Sequence, residues 1–167
     1  MKKITASSYK KDKYYKSVTS AVHELLKEKS FVAPVDLFVQ MGKLSKEDYE
    51  DWRFKRIPHL EKVLNCSLSK ANRILRILKY HAEAIGLKPS RTVYMKWGKG
   101  KQRIALRFSK SGEPNVELSY STHYITTSMK QHEMTGKSPQ RFEEPEELRV
   151  ENDEREKQRQ SQTFVAN

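Results

Sequence analysis

The hydrophobic period of this chain changes at Pro89, and that change limits the fold more than any other feature. Before it, apolar residues recur at helical spacing; after it, as far as Phe108, they alternate. Over 69–85 the residues Ala71, Ile74, Leu75, Leu78, Ala82 and Ile85 form one helical stripe. Gly86 stands at the expected stop, and Pro89 lies just beyond it. Over 92–97, Val93, Met95 and Trp97 alternate with Tyr94 and Lys96; over 103–108, Ile104, Leu106 and Phe108 alternate with Arg103 and Arg107. Gly98-Lys99-Gly100-Lys101 joins the two runs, a connection suited to a β-hairpin. The apolar face of that hairpin must pack on helices, which leaves Tyr94, Lys96, Arg103 and Arg107 facing out. The expected class is α+β, mostly helical.

Shorter helices are predicted upstream. Val18, Ala21, Val22, Leu25 and Leu26 share a helical face over 17–29. Pro34 suits the first position of a short buried helix carrying Val35, Leu37, Phe38 and Met41 and closed by Gly42. Ser45 with Asp48 resembles a capping box with a shorter acid, opening a helix with Tyr49 and Trp52 inward. After Ile57-Pro58, Leu60, Val63 and Leu64 define another short helix, and a last one is expected over 114–124. With 167 residues, of which 36% are apolar, the chain has material for one small-cored domain with tails. We read 17–125 as that domain, 1–16 as a disordered basic arm, and 126–167 as an acidic, largely disordered tail. Tyr9, Tyr14 and Tyr15 in the arm are placed either to stack on bases or to dock on the domain.

Charge narrows the function classes. The net charge is +12, from 33 basic and 21 acidic side chains. The stretch 91–112 holds seven cations (Arg91, Lys96, Lys99, Lys101, Arg103, Arg107 and Lys110) and no acid. Solvated faces normally mix both signs, so a block of one sign points to a polyanionic partner, although a plain solubility surface also fits. The acidic tail offers a way to screen that block within the chain. No run approaches the ~20 apolar residues of a membrane span, and no apolar signal segment follows Met1. A cytoplasmic protein without a membrane partner is expected. Cys66, the only cysteine, excludes an internal disulfide and a multi-cysteine zinc site. Its predicted core position makes it a structural thiol.

The stretch Leu60-Glu-Lys-Val-Leu-Asn-Cys-Ser-Leu-Ser-Lys-Ala-Asn-Arg-Ile-Leu75 resembles the helix-turn-helix motif of bacterial DNA-binding domains. Leu60 and Leu64 match inward positions of the first helix, and Asn65 takes the turn position usually held by glycine. Ser67 caps the second helix, and Ala71 and Ile74 face inward from it. Glu61 departs from the pattern, since a small residue normally stands where the two helices cross. The resemblance implies a recognition helix whose outward Ser69, Lys70, Asn72, Arg73 and Arg76 meet base edges in the major groove. A basic hairpin after such a helix is the arrangement of a winged helix. Lys99 and Lys101 would then touch the DNA backbone, with Lys96, Arg103 and Arg107 along the flank. Phe31-Val-Ala-Pro-Val-Asp-Leu-Phe-Val-Gln-Met-Gly42, Asp51-Trp-Arg53 and Phe108-Ser-Lys-Ser-Gly112 are similar to a family of small bacterial proteins over 31–124. That likeness implies no activity.

Catalytic readings have less to stand on. Arg76-Ile-Leu-Lys-Tyr-His81 shares the Arg-then-His spacing of metal-independent ribonucleases of the HEPN class, with Ile77 where those families place a polar residue. No His-x3-His, His-Glu-x-x-His or carboxylate pair with metal-ligand spacing stands out, and no nucleotide-binding glycine loop leads into a helix. No cofactor is expected. The sequence therefore points to a non-catalytic nucleic-acid-binding protein of a bacterial or phage setting, with duplex DNA as partner. A protein-interaction module (an inhibitor or assembly factor using Trp52, Tyr94 or the hairpin) and an RNA-binding or RNA-cleaving protein are the alternatives.

Overall fold

The structure, a computed structural model, describes residues 2–127. Among these, all but Trp97–Gly100 fall in one compact unit, and those four belong to a second. The expectation for 126–167 lies outside the described residues apart from Thr126 and Thr127. No described helix is long and apolar enough to cross a membrane.

The class is α+β, with five α-helices and one small antiparallel sheet among the described residues. The helices are α1 (Tyr15–Glu28), α2 (Pro34–Gln40), α3 (Lys46–Arg53), α4 (Leu68–Ala84) and α5 (Pro114–Ser121). Their starts follow local chemistry. Pro34 opens α2 from a position whose N–H has no helical partner. Ser45 and Ser67 cap α3 and α4 by accepting from the amides of Asp48 at 3.1 Å and Lys70 at 3.2 Å. Gly86 follows α4 at φ +82°, a left-handed conformation that favours glycine. The helices bury the stripes that the periodicity marked, including Val18, Val22, Leu37, Phe38, Trp52, Ile74 and Leu78.

The sheet comprises β1 (Phe31–Val32), β2 (Lys88–Arg91) and β3 (Thr122–Ile125) in the order β1-β3-β2. Phe31 pairs with Ile125, and Pro89 with Tyr124. Pro89 is accommodated because β2 lies at the sheet edge. The helix expected over 114–124 ends at Ser121 instead, and its last three residues, with Ile125, become the central strand. The Thr122 hydroxyl closes the helix by donating to the Leu118 carbonyl at 2.7 Å.

Four further expectations are corrected. Residues 2–16 are not a disordered arm: Ile4 and Tyr9 are buried in the core, and a 3-10 turn spans Tyr9–Lys11. The first helix of the helix-turn-helix-like pair is a 3-10 turn, Leu60–Val63, whose amides at Leu60 and Glu61 bond the carbonyls of Arg107 and Phe108. Four residues are too few for the ridge that crosses a recognition helix. Asn65 does not take up left-handed geometry; among non-glycine described residues only Lys55 does. The hairpin is reduced to one bridge, Met95 with Ala105, flanked by 2.7 Å bonds from Lys96 N to Ile104 O and from Leu106 N to Tyr94 O. Leu106 and Phe108 face inward as expected, but the first run is reversed at its start, with Val93 71% exposed and Tyr94 5% exposed, while Lys96 stays outward.

Candidate nucleic-acid interface

Helix α4 presents three strips along its length, because each residue turns it by about 100°. Ala71, Ile74, Leu75, Ile77, Leu78 and Ala82 form the buried strip. Ser69, Asn72, Arg76, Lys79 and Glu83 form an exposed one. Between them lies a strip containing Lys70, Arg73, Tyr80 and His81, and here the N-terminal segment docks. Arg73 pairs with Asp12, Lys70 Nζ sits 4.7 Å from the centre of the Tyr14 ring, and the Tyr9 ring lies 5.7 Å from that of Tyr80. Tyr15 meets His81 edge-on at 6.1 Å. Burial pushes the His81 pKa below its ordinary value, and Lys10 adds to the shift.

This packing sorts the α4 residues expected to meet a nucleic acid. Ser69, Asn72 and Arg76 are exposed, whereas Lys70 and Arg73 are half-buried. Arg73 was expected to reach outward; Asp12 holds its guanidinium instead. Lys79 was missed, although its place three residues after Arg76 and seven after Asn72 puts it on the same strip. Asp12 was missed too, and no local signal marks a partner 61 residues away in sequence. Arg76 and His81, five residues apart, project about 140° from each other around the helix axis.

The residues expected on the hairpin sort in the same way. Lys96, Lys101 and Arg103 are exposed and form no ion pair among the described residues. Lys99 is exposed and lies in the second unit. Tyr94 is corrected from surface to core. Its ring contacts those of Trp52 and Phe108 at 5.4 and 5.3 Å, and its hydroxyl meets His123 Nε2 at 2.9 Å. The Arg53 guanidinium, 4% exposed, stands 5.0 Å over the Tyr94 ring. Burial raises the Tyr94 pKa well above that of a free phenol. Arg107 is exposed but committed locally, donating from Nε to the Ser109 carbonyl at 2.9 Å and from Nη2 to the Lys110 carbonyl. Its own carbonyl accepts from Trp52 Nε1 at 2.8 Å. These bonds anchor the second run of the hairpin to α3 and to the 3-10 turn.

No group of three or more His, Cys, Asp or Glu side chains among the described residues could hold a metal ion. Cys66 is half-buried, and burial raises its thiol pKa against the opposing pull of Lys43 and Lys70, so the thiolate is disfavoured. No family model, curated protein or solved structure matches the chain.

Proposed function

We propose that the protein binds duplex nucleic acid, DNA before RNA, without catalysing a reaction. The observation that carries this reading is the acid-free stretch 91–112. Its Lys96, Lys101 and Arg103 stay exposed with no carboxylate partner among the described residues, on a run tied to the body through Trp52 and Leu60. Cations held this way release counterions when they meet phosphates. The exposed strip of α4 supplies the groups suited to bases: Asn72 for adenine and Arg76 for guanine, with Lys79 beside them. This reading is a modified form of the winged-helix expectation. A basic run follows a capped helix, while the helix preceding it is replaced by a 3-10 turn.

Binding measured by fluorescence anisotropy across a salt series tests the reading. The triple variant Lys96→Ala, Lys101→Ala, Arg103→Ala is expected to weaken every duplex alike. It should also flatten the slope of log K against log salt by up to about 2.7, since each lost phosphate contact removes about 0.9. Arg76→Ala should instead reduce discrimination between sequences by about 1–3 kcal/mol at a guanine-containing site. Equal affinity of the wild type for duplex, heparin and an acidic protein would falsify this function.

A further inference from the structure

The two cations nearest the start of α4 are held by the chain's own N-terminal segment. Arg73 donates from Nη2 to the Asp12 carboxylate and from Nη1 to the Lys2 carbonyl at 3.5 Å. Asp12 is the only acid in 1–16. Its side chain is 3% exposed, against 22% for Arg73. The segment places its single carboxylate on the one arginine of α4 that the resemblance assigns to DNA and that does not face solvent. Tyr14 meanwhile covers Lys70. A carboxylate on a guanidinium presents the same acceptor chemistry as a phosphate oxygen.

We propose that residues 2–14 act as an internal mimic of the nucleic-acid backbone, with Asp12 in the place of a phosphate on Arg73, and that tight duplex binding at α4 requires their displacement. The proposal rests on the duplex-binding reading above and adds regulation to the same site. The segment suits an exchangeable role. Its only regular structure is the 3-10 turn Tyr9–Lys11, and Ile4 and Tyr9 are its only buried apolar side chains. The remainder includes Lys2, Lys3, Lys10, Lys11 and Lys13, all exposed. Released from α4, the segment would carry those five cations onto phosphates while Arg73 and Lys70 became free for the duplex. Two affinities follow: a weaker one through the exposed cations with the segment docked, and a tighter one with it released.

Asp12→Asn separates the two. Asparagine keeps the side-chain size and an oxygen acceptor for the Tyr14 amide, which Asp12 Oδ1 accepts at 2.9 Å, but removes the charge that holds Arg73. Duplex affinity in this variant is expected to rise roughly tenfold. The salt slope should steepen by at least about 0.9, the share of Arg73 alone, and by more for each lysine of the segment that reaches a phosphate. Arg73→Gln should cut the gain of the Asp12→Asn background by about the 0.9 of slope that one phosphate contact carries. Glu24→Gln adds the same unit of charge on α1 and should not steepen the slope. A measurement on the wild type needs no variant: amide hydrogen exchange at Tyr9, Lys11 and Asp12 is expected to accelerate when duplex is added. Equal affinity and slope in Asp12→Asn, or slower exchange at those amides, overturns the mimic and leaves duplex binding standing. Absence of duplex binding by wild type and variant alike at low salt overturns both.

Discussion

His123 shows how strongly single residues depend on the packing around them. It sits in β3 with its Nε2 on the Tyr94 hydroxyl at 2.9 Å and its ring stacked on Phe31 at 5.3 Å. Burial drives its pKa down to about 4; Asp36 opposes the shift and Lys29 assists it. In the unfolded chain the imidazole titrates near 6.5. Between those two values the unfolded state binds the extra proton, so stability is whole above pH 6.5 and is lost as pH falls toward 4. The loss amounts to about 3 kcal/mol. Thermal unfolding followed from pH 7.5 to 4.5 should show this fall, and His123→Gln should flatten it. A profile unchanged by the substitution removes His123 as the cause. Glu61 carries a second lesson at this scale. It broke the helix-turn-helix pattern because its carboxylate has other partners: the Lys110 amide at 3.0 Å and the Tyr120 hydroxyl at 3.2 Å.

Elements differ in how far the chain announces them. Helices α1 to α4 were legible because their buried stripes repeat every three or four residues. Strands β1 and β2 were not, having two and four residues and partners in β3 that lie more than thirty residues away in sequence. The reversal at Tyr94 was equally hidden: Val93 is the more apolar residue, but only Tyr94 has a hydroxyl to offer His123. The connection 108–112 is organised by Glu117 of α5, whose carboxylate accepts from the amides of Phe108 and Ser109 and from the Ser109 hydroxyl at 3.1, 2.7 and 2.6 Å. Glu117→Ala orphans all three donors, each costing ~1–3 kcal/mol when buried. Gly112 closes the same turn at φ +68°, with Arg107 Nη2 only 2.8 Å from where a Cβ would stand. That guanidinium can move only by giving up its bonds to the Ser109 and Lys110 carbonyls, at about 1 kcal/mol each, which Gly112→Ala adds to a backbone strain of about 1–2 kcal/mol. Urea unfolding should rank Glu117→Ala as the more damaging change; the reverse order would place the organising contact at the glycine.

Across the whole molecule, charge and stability pull against each other. Residues 1–127 contain 26 basic and 12 acidic side chains, a net of +14. The ion pairs of the described residues include Lys27 with Glu24, Lys29 with Asp36, Arg56 with Asp51 and Arg73 with Asp12. A body with so many more cations than carboxylates repels itself, and dissolved salt screens that repulsion over about 8–10 Å. The free protein should therefore melt at a higher temperature in 300 mM than in 20 mM sodium chloride. A ligand that neutralises the same cations stabilises the folded state by mass action, and its affinity falls with salt. Salt should thus act in opposite directions on two measurable quantities: the melting temperature of the free protein rises, while the further increment produced by a fixed concentration of duplex shrinks. Scanning calorimetry of both samples over one salt series checks this. If the increment persists at high salt, phosphate contacts are not its source. If the free protein melts lower in high salt, attraction between opposite charges, rather than crowding of like ones, dominates its fold.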